Sequence, residues 1–376
     1  MEVSALDVLI VVIKAAIVMG ALLHMAAMVT WVERKGSALI QNRIGANRAA
    51  IFGFDLAGIF NTLVADPVKA ITKEDFVPKG TSQFMHALAP FLAVLPIILS
   101  FAVMPFGPSF SVGDREITLQ LADLNVGVLY VFAMGSLAVY GVVLAGWVGN
   151  NKFSLLGSLR ATAQMISYEV TLGLSIIGLI AAYQTLDLSE IVLKQGGTIQ
   201  LFGVLPVPAW GIFTFFPLNV IAFVLFFTSM MAETKRAPFD LPESESELVA
   251  GYFTEYSGMK FLLFWLGEFA EIVVASAMVV VLFFGGWQLP YLDLAALNHA
   301  TVPGVPFQLP WGSIAGAAVF GAKVSFFCVL QVVIRWTLPR FRYDQLMDLC
   351  WKRMLPLSLI NMVLTVFYVL KTQLPG

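Results

Sequence analysis

The chain has 376 residues, 59% of them hydrophobic and 12% charged, with a formal net charge of −2. Soluble domains carry about 25% charged residues, so this composition excludes one and describes a chain that crosses a membrane several times. The near-neutral balance gives no sign of a nucleic-acid partner.

Two cysteines, Cys328 and Cys350, stand far apart with no CxxC. An iron–sulfur cluster takes about four thiolates, so the chain holds none alone. His24, His86 and His299 are scattered without metal-ligand spacing, and the sequence predicts no metal site. His24 reads as a helix-contact histidine. The N-terminus carries Glu2 and Asp7 and no basic region, so the first apolar run is a retained span and not a signal peptide.

A membrane-crossing helix needs about 20 mainly apolar residues. Eight runs qualify: 8–32, 84–106, 127–149, 161–183, 211–232, 261–284, 312–336 and 354–371. Strands do not compete, because the runs are long and do not alternate. The expected fold is all-α and polytopic, a single transmembrane domain of about eight helices. Arg115, Lys194 and Lys371 are the bases in connections on one side, and Lys14 and Lys323 lie within spans. The rest of the 22 Lys and Arg fall on the other side, which is therefore inside. Both termini face outside. The inner loops 33–83, 233–260 and 337–353 hold nearly all the chemistry, and the outer loops 107–126, 184–210 and 285–311 little. Within 51–71, Phe52, Leu56, Ile59, Phe60 and Leu63 recur at helical spacing. They predict a short amphipathic helix, lying on the membrane surface or covering a partner protein.

Charges inside spans are rare and face a cavity or a partner. Gln164, Ser167, Tyr168, Thr171 and Ser175 line one helix face, with Glu169 beside it. Counted from Arg160, Glu169 lies about 13 Å deep. Counted from Lys260, Glu268 and Glu271 lie about 12 and 16 Å deep on one face. Lys323 lies about 18 Å from Arg335. Carboxylates and an amine at one depth suggest a buried proton relay, since burial and neighbouring charge tune their protonation. The competing reading is a structural Glu–Lys pair. Lys14, near the outer end of the first span, reads as a snorkelling lysine.

One inner stretch, 232–256, stands out. It carries Glu233, Asp240, Glu243, Glu245, Glu247 and Glu255 against two bases, Lys235 and Arg236, between apolar runs. Packing does not require so many acids there. The same side holds Arg34, Lys35, Arg43, Arg48, Arg335, Arg340, Arg342, Lys352 and Arg353, which offer partners that lower the acids' desolvation cost. Gly36 and Gly45 permit tight turns.

Several motifs are long and ordered: Glu33-Arg-Lys-Gly36 with Gln41-x-Arg-x-Gly-x-Asn47, Ala65-Asp66 through Lys73-Glu74, Tyr168-Glu169, Ala232 through Leu248, and Pro339-Arg-Phe-Arg-Tyr-Asp-Gln-Leu346. Over essentially its whole length the chain resembles the family of H subunits of proton-pumping NADH:quinone oxidoreductase, respiratory complex I, the equivalents of mitochondrial NADH dehydrogenase subunit 1. Ala46 stands where the family commonly has Pro, and Lys235 where it commonly has Asn. The resemblance implies a membrane anchor for the electron-transfer arm, with no redox centre of its own and quinone as substrate. It implies iron–sulfur clusters, FMN and NADH in partner subunits. The partners it implies are the 49-kDa-type and PSST-type arm subunits, small and antiporter-like membrane subunits, and membrane lipids. By position, Glu33, Arg34, Arg43, Asp66, Lys69, Glu74, Phe239, Asp240, Glu243, Arg335 and Arg340 are expected at the quinone tunnel or its junction. Glu169, Glu233, Glu243, Glu245, Glu247 and Glu268 are expected on an acidic proton route, to which spacing adds Glu271 and depth adds Lys323. Lengthened outer loops favour a bacterial inner membrane over the mitochondrial one. A homologous anchor of a membrane-bound hydrogenase and a free-standing transporter are the alternatives. The full acidic stretch disfavours the first, and the lack of an inverted repeat disfavours the second.

Overall fold

The structure is a computed structural model, and it describes residues 5–47, 58–112, 115–201, 205–241, 250–299 and 310–373. The helices are α1 (Ala5–Ile40), α2 (Asp66–Thr72), α3 (Gln83–Phe101), α4 (Gly127–Val148), α5 (Lys152–Tyr183), α6 (Leu188–Lys194), α7 (Leu218–Glu233), α8 (Gly258–Phe283), α9 (Trp311–Thr337), α10 (Tyr343–Asp348) and α11 (Leu355–Gln373). Among the described residues seven helices are long and apolar enough to cross a membrane, α10 and α11 counting as one run through Thr372.

The eighth expected run, 211–232, holds a shorter apolar helix. Residues 211–217 form turns, and α7 has 16 residues starting after Pro217. Proline has no N–H to lose at a helix start, so the chain can enter the helix there. At 1.5 Å per residue α7 is about 24 Å long, short of a hydrocarbon core of about 30 Å.

Helix bundles need one element that is apolar all round, and α8 fills that place. Val273, Ala277 and Val279 through Phe283 are fully buried on every face. Around it pack α1, α3 and α9, with α7 also in contact. α3 lies against α4, and α5 against α4, α7 and α11. α1 and α11 are peripheral, with exposed apolar residues such as Val12, Ile17, Ile360 and Phe367 turned outward. His24 is exposed on α1 and is not the helix-contact histidine expected.

The expected inner loops are partly helical. α1 continues through Glu33-Arg-Lys-Gly36 to Ile40, so Gly36 is helical, while Gly45 has φ +79° and makes the turn. A side chain on Gly45 would bring its Cβ to 2.9 Å from that of Ala38. α5 starts at Lys152, not 161, and Asn151 caps it by accepting from the Phe153 N–H at 2.9 Å. The expected loop 337–353 holds α10 and a π-helical segment, Leu349–Met354, that leads into α11. The amphipathic helix is described from Gly58 onward, as a π-helical Asn61–Ala65 running into α2. Ile59, Phe60 and Leu63 are half-buried, and the exposed apolar stripe is instead Val64, Val68 and Ile71. Phe52 and Leu56 lie outside the described residues.

The structure is mostly helical, as expected, with two short additions in the loops. Two antiparallel hairpins, Phe110–Val112 with Arg115–Ile117 and Thr198–Leu201 with Leu205–Pro208, occupy the loops at the end of the bundle opposite Glu33. They are too short to register as alternation in sequence.

Candidate functional site

The end of α1 brings a carboxylate and a guanidinium to adjacent faces of one helix. Glu33 accepts from Arg335 of α9, and Arg236 stands 3.5 Å from its other oxygen. Arg34, the next residue, pairs with Asp66 at 2.6 Å and lies over the Trp265 ring at 5.4 Å. Consecutive helical residues are about 100° apart, so these two contacts diverge. Arg34 and Asp66 border a pocket of about 200 Å³ between α1, α2 and α8, with Lys69, Lys73, Phe261 and Trp265 in its wall.

On the other side, Glu33 begins a line of buried charge. Arg236 packs over Phe269 at 4.1 Å and faces Glu268 at 3.7 Å. That separation is an ion pair but not a hydrogen bond. Tyr252 completes Glu268 by donating its hydroxyl to Oε1 at 2.6 Å. One helical turn on, Glu271 meets Lys235 at 3.1 Å. Glu233, Thr234 and Glu271 line a cavity of about 60 Å³ with Gly135 and Ser100. A site needs roughly 10–15 Å³ to hold one water, so this one has room for a few. Glu233 lies within electrostatic reach of both Glu271 and Glu169. Glu169 accepts from the Ser136 hydroxyl of α4. The line therefore runs Arg335, Glu33, Arg236, Glu268, Glu271, Glu233, Glu169.

The segment after α7 is folded back by α5. Gln164 donates its amide to the Ala232 carbonyl at 2.7 Å and to that of Phe239 at 2.8 Å. Phe239 stacks on Phe341, and Asp240 accepts from Arg340 at 3.0 Å. Burial pushes the Asp240 carboxyl above its ordinary range, and the Arg340 guanidinium pulls it part of the way back. Lys235 shows the opposite balance. Burial lowers its affinity for the proton, but the carboxylates of Glu271 and Glu268 outweigh that and raise it above the ordinary lysine value.

The structure thus brings together Glu33, Arg34, Asp66, Lys69, Asp240, Arg335 and Arg340 near the α1 end, and Glu169, Glu233, Glu268 and Glu271 along the line. It leaves three residues apart. Arg43 is exposed and bonds Gln41 at 2.7 Å. The Glu74 side chain is exposed, and its carbonyl accepts from Ser257 at 3.1 Å. Among the described residues Lys323 meets no carboxylate. It donates to the carbonyls of Phe284, Gly286 and Gln288 at 2.8, 3.0 and 2.6 Å, with Trp210 at 4.5 Å. Depth alone grouped it with the acids, but its helix face turns toward the end of α8. Glu243, Glu245 and Glu247 lie outside the described residues.

Sequence reasoning missed Lys235, Arg236, Tyr252 and Ser136 as members of the line. The first two were visible as the bases of the acidic stretch, where each acid inside the bilayer needs a counter-charge. Ser136 carried no signal, because a serine in a span is ordinary. The polar stripe on α5 has a packing use instead: Tyr168 donates to the Leu346 carbonyl at 2.9 Å, and Ser167 and Thr171 meet Cys350.

Comparison with known proteins places the chain in a family. The family model described as NADH dehydrogenase matches residues 13–366. The NADH-quinone oxidoreductase H subunit of Bdellovibrio bacteriovorus is 39% identical, covering 95% of each chain. An NADH-quinone oxidoreductase H subunit of Geobacter metallireducens is 43% identical, covering 96% of this chain and 97% of the relative. One from Cytophaga hutchinsonii is 42% identical over 89% of this chain and 90% of the relative. The chain belongs to the NADH dehydrogenase family, among the H subunits, which are membrane components of the enzyme complex NADH-quinone oxidoreductase.

Proposed function

We propose that this chain supplies part of the quinone tunnel of its complex and links quinone reduction to proton translocation through the line of carboxylates. The observation that carries the proposal is the adjacency of Glu33 and Arg34 on α1. Arg34 faces the pocket with Asp66, while Glu33 heads the buried line.

The pocket suits a quinone head group. Arg34 and Lys69 offer donors for the carbonyl oxygens, and Trp265 and Phe261 offer aromatic faces. Reduction of a quinone to the quinol takes two electrons and two protons; the electrons come from partner subunits, since two cysteines are too few for an iron–sulfur cluster. A charge change in the pocket alters the field at Asp66 and Arg34. The neighbouring Glu33 lies between two guanidiniums, so its ion pairs respond to their position. From there, proton transfer requires groups within hydrogen-bond reach or joined by a water. Arg236 stands between Glu33 and Glu268, Tyr252 donates to Glu268, and the cavity between Glu271 and Glu233 has room for an intervening water.

Assembly with the 49-kDa-type and PSST-type arm subunits and with antiporter-like membrane subunits, in a bacterial inner membrane with both termini outside, belongs to the same reading. Asp240, Arg340, Glu74 and Arg43 are assigned to the arm junction, and Glu243, Glu245 and Glu247 to its acidic approach.

The test is the intact complex in proteoliposomes carrying Glu233→Ala. NADH oxidation by quinone and internal acidification are recorded together. Loss of acidification per quinone reduced, with the complex assembled, supports the line; an unchanged ratio removes Glu233 from it.

A further inference from the structure

At the end of the bundle opposite Glu33, α1 and α9 part to leave a groove of about 270 Å³. On α1 its wall is one stripe from Lys14 through Ile17, Val18 and Ala21 to Met25. Those positions recur every three to four residues, the spacing of a single helix face. Eleven rises of 1.5 Å make the stripe about 16 Å long. That matches half of a hydrocarbon core of about 30 Å, the depth of one leaflet. The opposite wall is Ala317, Phe320, Gly321 and Val324 of α9, again one face. Small residues keep it open: a Cβ built on Gly321 would meet nothing within 4 Å.

The walls are apolar except at the mouth. There Lys14 donates to the Thr118 hydroxyl at 3.4 Å, a long bond to a neutral group. Among the described residues no carboxylate pairs with Lys14, whereas Lys194, at the same end, is paired with Glu190 at 2.8 Å. An ammonium inside a span ordinarily has a counter-charge. None of this belongs to the pocket at Arg34 or to the carboxylate line, which lie at the other end of α1 and beyond α8.

We propose that this groove binds one anionic phospholipid, with its acyl chain along the Lys14–Met25 stripe and its phosphate on the Lys14 ammonium and Thr118 hydroxyl. Length, apolarity and the single positive charge at one end select a molecule with the same layout. A free phosphate would leave the groove unfilled, and a neutral chain would leave Lys14 unpaired.

The intact complex is reconstituted with phosphatidylglycerol bearing a diazirine in its acyl chain, irradiated, and mapped by peptide mass spectrometry. Labelling is expected on the α1 and α9 segments that line the groove. Excess unlabelled phosphatidylglycerol should displace the probe, and excess phosphatidylcholine or inorganic phosphate should not. Lys14→Gln should lower labelling about fivefold, the weight of one basic side chain facing an anionic head group. Lys14→Arg should keep it. Gly321→Leu fills free space and should remove chain labelling while the complex assembles. Equal displacement by phosphatidylcholine, or labelling that survives both Lys14→Gln and Gly321→Leu, overturns the site.

Discussion

The Tyr252 hydroxyl donates to Glu268 Oε1 at 2.6 Å, in a position where both side chains are nearly inaccessible to solvent. It joins the short helical turn Gly251–Phe253, within the acidic stretch, to the central helix α8. Tyr252 also packs edge-on against Phe253 and Phe264, which fixes the direction of its O–H. Tyr252→Phe keeps those ring contacts and removes the donor. Losing a hydrogen bond to a buried charge costs about 1.5–3 kcal/mol, so the variant should assemble and show slower proton uptake. Stopped-flow quinone reduction across pH checks this; an unchanged profile would restrict Tyr252 to packing.

Glu33 sits between Arg335 and Arg236. Removing one partner from a fully buried ion pair costs about 3–5 kcal/mol, and the half-buried Glu33 and Arg335 should lose less than that. Glu33→Gln should therefore lower the melting temperature of the complex. Arg335→Gln should cost less in that background than alone. A double-mutant cycle measures the difference, and additive effects would show that the two residues do not act as a pair.

Glu169 ends the line at Ser136. Glu169→Gln retains a hydrogen-bond acceptor but cannot carry a negative charge. Quinone KM should be unchanged while protons moved per quinone fall, measured as acidification in proteoliposomes. Retained stoichiometry would leave Glu169 with packing alone.

Lys323 gives the contrasting case. Its three carbonyl acceptors lie just beyond the C-terminus of α8, where cations are favoured. Lys323→Met should destabilise the complex by about 2–3 kcal/mol through the lost charged hydrogen bonds. The ratio of protons to quinone in surviving complex should stay unchanged. A changed ratio would return Lys323 to the relay.

Asp240 yields a pH dependence with a definite sign. Its folded carboxyl binds a proton more tightly than an exposed aspartate does. Between the ordinary carboxylate range and that raised value, the folded chain holds more proton than the unfolded chain, so stability falls as pH rises through the window. Asp240→Asn should flatten that slope, at the expense of the ion pair with Arg340. Melting temperatures of variant and parent across the acidic range give the difference; parallel curves would contradict the assignment.

Most of the membrane architecture was legible because a helix of apolar residues announces itself over twenty positions. The failures came where one residue decides. Pro217 starts α7 late, and the hydropathy of 211–217 does not reveal it. The polar end of α1 continues a helix whose residues read as a loop. Glu268 and Glu271 were found by spacing, and their partners were not, because Arg236, Lys235 and Tyr252 reach them from a segment that is distant along α8 only in sequence. Lys323 was grouped by depth, a one-dimensional measure that carries no information on which way a helix face turns.

α1 runs unbroken for 36 residues, about 54 Å. Lys14 and Glu33 are nineteen residues apart on it, or about 28 Å, nearly the thickness of the hydrocarbon layer. The helix thus acts as a gauge with a charged mark at each end. A bilayer thicker than the gauge draws apolar lipid over one mark, and a thinner one leaves apolar helix in water, at fractions of a kcal/mol per ångström. Because the Arg335 and Arg236 partners of Glu33 ride on other elements, that mismatch is borne as tilt of α1 against α8 and α9. Lipid thickness is then a variable to which the head of the carboxylate line is mechanically exposed.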